Sequence, residues 1–143
     1  MSAQGDIIRG INRLLNASLN RVIIAGGKRG EGEMKYRIFN EGLDAERETI
    51  GAYSSGYAAY RRARGRQTSY VDLELTGELR NAIKLGTAKG GAVTLGITNS
   101  NRANVAAKLE KQYEKTIFAL SDTEVKQVEQ SIILELDAIF SKI

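Results

Sequence analysis

Four arginines fall within six residues, at Arg61, Arg62, Arg64 and Arg66, just downstream of Tyr57 and Tyr60. A guanidinium group grips phosphate or carboxylate oxygens through a rigid fork, and phenol rings beside it offer stacking faces. This stretch is the candidate interaction loop of the chain. Its targets would be an acidic protein surface or DNA phosphates, and its plain alternative is a solvated basic loop. Asp72 and Glu74 stand two residues apart, a spacing that puts both carboxylates on one face of a strand. They could pair with the preceding arginines or act as the two acids of a glycosidase-like site. Glu41, Asp44, Glu46 and Glu48 lack the spacing of a calcium-binding loop and read as solvated acids. Gly86, Gly90, Gly91 and Gly96 match neither common phosphate-binding pattern and read as a hairpin turn with a strand glycine.

The residues that are missing narrow the chemistry further. Histidine and cysteine are both absent from the 143 residues. No Ser-His-Asp or Cys-His triad can be built, and neither thiolate ligands nor imidazole ligands are available for zinc. The chain is therefore expected not to be an enzyme, with no cofactor and no metal. Proline is absent as well, so turns rest on the 15 glycines and on Asn, Asp and Ser. No apolar run approaches the roughly 18–20 residues of a membrane span. Gln4, Asp6 and Arg9 interrupt the N-terminal apolar residues, so a secretory leader is not expected. Net charge is +4 but uneven. Residues 1–66 hold 12 basic and 7 acidic groups (+5), residues 67–109 hold 5 and 3 (+2), and residues 110–143 hold 4 and 7 (−3). Opposed charge at the two ends would suit head-to-tail contacts between copies, and is equally compatible with chance in a small protein.

The elements that must position these residues follow from periodicity. Ile7, Ile8, Ile11, Leu14, Leu15, Leu19, Val22 and Ile23 form one apolar face of a helix over residues 4–25, which Gly26-Gly27 is expected to end. A polar linker follows at 30–33, then a strand at 34–39 and a charged loop at 40–55. A short helix is expected at 55–64 and a strand at 70–75, where Val71, Leu73 and Leu75 alternate. Thr76 would cap a short helix through Leu79, Ala82 and Ile83. Residues 84–98 read as a hairpin turning at Lys89-Gly90-Gly91. Asn101 would cap a helix reaching Tyr113. Ser121-Asp122-Thr123-Glu124 is a capping box that opens a last helix striped by Val125, Val128, Ile132, Leu136 and Ile139. The fold class expected is α+β, with a small antiparallel sheet of three to four strands packed with long N-terminal and C-terminal helices. It makes a single domain over 1–143: an N-terminal helix at 1–27, a strand-rich region at 34–98 with a loop at 40–69, and C-terminal helices at 101–141.

Several blocks of the chain resemble a known family. Gly65-Arg66-Gln67-Thr68-Ser69-Tyr70-Val71-Asp72-Leu73, followed by Leu75-Thr76-Gly77-Glu78-Leu79, is similar to the segment that precedes a hairpin in the tail-completion, neck or virion-morphogenesis proteins of tailed bacteriophages. Upstream, Arg37-Ile38-Phe39-Asn40-Glu41-Gly42-Leu43-Asp44 and Ile50-Gly51-Ala52-Tyr53-Ser54 resemble the same family's opening blocks. Downstream, Ile117-Phe118-Ala119-Leu120-Ser121 resembles the entry to its C-terminal helix. The blocks run in the family's order over residues 34–140. The stretch Val105–Tyr113 departs from the pattern of many relatives.

The resemblance implies a structural virion protein at the head–tail junction, made in the bacterial host cytoplasm. It would join a homo-oligomeric ring between head connector and tail and touch other phage connector and tail proteins. It would need no cofactor and no membrane, with at most transient, non-specific contact with DNA. The alternative reading of the same residues is a small nucleic-acid-associated protein that binds phosphates through the arginine-rich loop 61–66.

Overall fold

The computed structural model describes residues 3–142. A helix α1 spans Ala3–Lys35 and runs on into a π-helical turn at Tyr36–Asn40. Then come α2 (Ser55–Arg62), α3 (Glu78–Ala82), β1 (Ile83–Leu85), β2 (Leu95–Ile97), α4 (Ser100–Tyr113) and α5 (Asp122–Phe140). β1 and β2 pair antiparallel with Ile83 opposite Ile97, and they form a sheet of two strands. The hairpin turn is where the sequence puts it, with Lys89 bridged to Ala92 and Gly90 and Gly91 both at positive φ.

The sheet of three to four strands gives way to this two-stranded one, because both other expected strands take different conformations. Residues 34–39 stay helical. The π turn widens the helix so that the consecutive residues Arg37, Ile38 and Phe39 are all buried, where a regular helix would turn one of them outward. Residues 70–75 leave the strand path at Asp72. Its carboxylate accepts the amide of Glu74 at 2.9 Å, and Leu73 takes φ 55°. An aspartate that hydrogen-bonds two residues ahead turns the chain, and this overrides the alternation of Val71, Leu73 and Leu75.

Gly26-Gly27 does not end the first helix. A Cβ at Gly26 would lie 2.8 Å from Ile132 Cγ1, and one at Gly30 would lie 3.0 Å from Val128 Cγ2, both side chains of α5. At Gly27 it would meet Leu85 Cδ2 of β1 at 2.9 Å. These glycines give the backbone of α1 its close approach to α5 and to the hairpin. The expected linker at 30–33 is consequently helix too, and α1 is 33 residues long, about 50 Å at 1.5 Å per residue.

The core gathers where α1 ends. Met34, Ile38, Phe39, Ile50, Val71, Leu79, Ile83, Ala106 and Ile117 form one buried cluster. Asn99, two residues before the expected cap, closes the start of α4 by accepting the amides of Asn101 and Arg102. The capping box of α5 forms as expected, with Ser121 Oγ accepting the Glu124 amide at 3.1 Å and Glu124 Oε1 accepting the Ser121 amide at 3.2 Å.

Candidate interaction surfaces

The six residues of the arginine loop divide into two groups. Arg61 is buried. Its Nη2 donates to Asp72 Oδ1 at 2.8 Å, its Nε donates to the Gln67 carbonyl at 3.1 Å, and its guanidinium lies 4.4 Å from the Tyr53 ring centre. Arg61 therefore leaves the interaction surface and serves the fold. Arg62 and Arg64 are exposed, and Arg66 is partly so. Tyr57 and Tyr60 are each more than two-fifths exposed and stack on one another at 5.7 Å with an interplanar angle of 16°. Arg64 covers the outer face of this pair, 3.3 Å from the Tyr60 ring centre. Gly65, at φ 69°, closes α2 with the amides of Gly65 and Arg66 donating to the carbonyls of Arg62 and Arg61. The result is a short aromatic and arginine ladder at the end of a helix.

The carboxylates are held in structural pairings. Asp72 accepts Gln67 Nε2 at 2.7 Å and the Tyr53 hydroxyl at 3.2 Å, in addition to Arg61. The Tyr53 oxygen in turn accepts the amides of Asp72 and Leu73. Burial is the largest influence on that phenol and pushes its pKa up to about 12. The raised value means that the neutral phenol stabilises the fold fully below about pH 10, and that this contribution is lost as pH climbs toward 12. Glu74 pairs with Arg80 at 3.1 Å, on a different partner from Asp72. Two carboxylates split in this way do not flank a common space, so the glycosidase-like arrangement is not assembled. Asp44 Oδ1 accepts the amides of Glu46 and Glu48 at 2.9 Å each, Lys115 bridges Asp44 and Glu48, and Glu41 pairs with Arg47. Among the described residues no group of three acidic side chains is placed to hold a metal ion.

The sequence reading missed a second buried pair, Arg37 with Glu124. Arg37 Nε donates to Glu124 Oε2 at 2.6 Å, and its Nη2 donates to Oε1 at 3.2 Å. The remaining donors reach the carbonyls of Leu43, Ile117 and Ala119 at 3.0, 3.2 and 2.7 Å. The pairing is therefore bidentate and the rest of the fork is satisfied, as a buried charge requires. Glu124 was legible as a capping residue, but no local signal told that it would also meet an arginine 87 positions away.

Two of the open surfaces among the described residues are apolar enough to take a partner. A cleft of about 720 Å³ lies between residues 52–57, residues 73–79 and α4, walled by Tyr53, Tyr57, Leu73, Val105, Leu109 and Tyr113. Its charged groups are engaged, Arg102 with Glu78 at 3.1 Å across the cleft wall and Arg61 with Asp72 outside it. The other surface is apolar. Ile7, Ile8, Ile11, Leu14, Leu15 and Leu19 of α1 are each about half exposed or more, and so are Ile133, Leu134 and Phe140 of α5. Ile11, Leu14, Leu15, Leu136, Ile139 and Phe140 line a groove of about 330 Å³ between the two helices. Among the described residues no helix is long and apolar enough to cross a membrane. No protein-family model, no curated protein and no solved structure matches the chain.

Proposed function

We propose that this chain is a structural, non-enzymatic protein of the phage head–tail junction, a component of a neck or tail-completion ring. It would act by self-association and by docking between head connector and tail. The observation that carries the assembly reading is the apolar face left bare on α1 and α5. Nine large aliphatic or aromatic side chains are about half exposed or more there. Large apolar side chains exposed in numbers mark protein-interaction surfaces.

The phage assignment rests on the family resemblance, and the packing of the resembling blocks supports it. A Cβ at Gly42 would lie 2.5 Å from the Val71 carbonyl oxygen, and one at Gly51 would lie 2.9 Å from Tyr113. Val71 and Asp72 meet residues 51–53 through the Gly51 carbonyl and the Tyr53 hydroxyl, and Ile117 fills the same core. Blocks far apart in the chain thus form one packed unit around residues 39–53, 70–73 and 117–121.

Gold-labelling of the protein in purified virions tests this reading. Label confined to the head–tail junction is the expected result. Label spread over the capsid, or none, rejects it.

The stacked Tyr57–Tyr60 pair beside Arg62, Arg64 and Arg66 favours a second reading, binding of nucleic acid without sequence preference. Affinity for DNA would then fall with salt, with a log–log slope of about −0.9 for each phosphate contacted. Replacing Arg62, Arg64 and Arg66 together would flatten that slope. Absence of salt-dependent binding in the intact protein would remove this reading.

A further inference from the structure

The cleft between residues 52–57, residues 73–79 and α4 suits a flat, uncharged group. Its volume of about 720 Å³ falls within the range of about 300–1,000 Å³ typical of ligand pockets. Leu73, Val105 and Leu109 supply aliphatic surface, and Tyr53, Tyr57 and Tyr113 supply rings. Burial and, after it, the Tyr57 phenol raise the pKa of Tyr113, so a ring from α2 and a ring from α4 are neighbours at the cleft. The hydroxyls of Tyr57 and Tyr113 and the carboxamide of Gln112 have no hydrogen-bond partner among the described residues, which leaves polar edges beside the rings. The cleft offers no unpaired charge, since Arg102 is held by Glu78 and Arg61 by Asp72.

Unpaired cations stand next to it instead. Tyr57 belongs both to the cleft and to the ladder, where it stacks on Tyr60 and Arg64 covers Tyr60 in turn. The stripe Tyr57, Tyr60, Arg64 therefore runs from the cleft past the end of α2. Arg62, Arg64 and Arg66 have no carboxylate partner among the described residues.

We propose that the cleft seats an unstacked base of a single-stranded nucleic acid, whose phosphates lie along Arg62, Arg64 and Arg66. This rests on the nucleic-acid reading above and names the form of nucleic acid that is bound. A base is planar and uncharged and carries hydrogen-bonding edges, which matches the rings, the neutralised ion pairs and the free Gln112 amide. The phosphates are anionic and match the unpaired guanidinium groups outside. Duplex bases are held inside their stack, so a single strand presents a base to the cleft at the smaller cost. An apolar peptide would cover the aliphatic surface but would leave the three arginines without an anion.

Fluorescence anisotropy of the full chain with two labelled strands of equal phosphate number tests this. One strand is a hexathymidylate and the other a hexamer of abasic nucleotides. Both give the arginines the same charge, and only the first carries bases. The thymidylate should bind about 5- to 150-fold more tightly, the worth of one stacked base. Tyr113→Leu removes a ring of the cleft that takes no part in the Tyr57–Tyr60 stack. It should weaken the thymidylate several-fold, leave the abasic strand unchanged and keep the near-UV circular dichroism of a folded chain. Replacing Arg62, Arg64 and Arg66 by Gln should weaken both strands alike. Equal affinity of the two strands for the unaltered protein overturns the seated base and leaves phosphate binding in place. A preference for thymidylate that survives Tyr113→Leu puts the base on the outer ladder and also overturns it. Binding of neither strand removes the nucleic-acid reading as well, and a protein side chain would then be the occupant of the cleft.

Discussion

The two halves of α1 meet opposite surroundings. From Val22 onward the helix is enclosed. Gly26, Gly27 and Gly30 are filled by side chains of α5 and β1, and Met34, Arg37, Ile38 and Phe39 are buried at its end. From Ile7 to Leu19 the same helix carries six large aliphatic residues and leaves them about half exposed or more. Large apolar side chains stop at Ile24, and the next stands at Met34. Where α5 and β1 come closest the helix carries Gly26, Gly27 and Gly30, whereas Gly10 and Gly32 meet nothing within 4 Å. The close approach of the backbones fixes the C-terminal half against the chain's own elements, and the large side chains of the N-terminal half stay open to another surface.

Substitutions can break that contrast or sharpen it. The largest effect is expected at the enclosed end. Glu124→Ala would leave Arg37 charged and buried without its carboxylate, and should cost about 3–5 kcal/mol in a urea titration. Gly26→Leu should come next. It forces a side chain into the space held by Ile132 and Val128, at a cost of about 1–3 kcal/mol from overpacking. At the open end the sign reverses. Gly10→Ala meets nothing, so relief of the helix-interior glycine should stabilise the fold by up to about 1 kcal/mol, measured in a monomeric Leu14→Glu background. Leu14→Glu itself should change the stability of the isolated fold by no more than about 0.5 kcal/mol, while light scattering reports loss of self-association. A large destabilisation by Leu14→Glu, or none by Gly26→Leu, would erase the contrast between the two halves.

What the sequence disclosed follows the same division between local and distant causes. The α5 start was legible because Ser121 and Glu124 satisfy amides within three residues of themselves. The hairpin turn was legible because Gly90 and Gly91 supply the positive φ it needs. Gly26-Gly27 looked like a helix end because a glycine chosen for close packing and one chosen for a left-handed cap are the same letter. The alternation at Tyr70–Leu75 looked like a strand because Asp72 gives no sign, in one dimension, that it will turn the backbone and receive Arg61. The candidate loop was read correctly as basic and aromatic. That one of its four arginines points inward depended on residues 53, 67 and 72 arriving around it.

Glu124 holds two appointments with one carboxylate. Its Oε1 accepts the Ser121 amide to start the last helix, and it also accepts Arg37 at the end of the first. On a chain synthesised from its N-terminus, Arg37 emerges 87 residues before the group that neutralises it. The counter-charge for the enclosed end of α1 therefore arrives only with the start of α5. The start of the final helix and the end of the first thus depend on one side chain. A chain that ended before residue 124 would lack both the cap and the counter-charge.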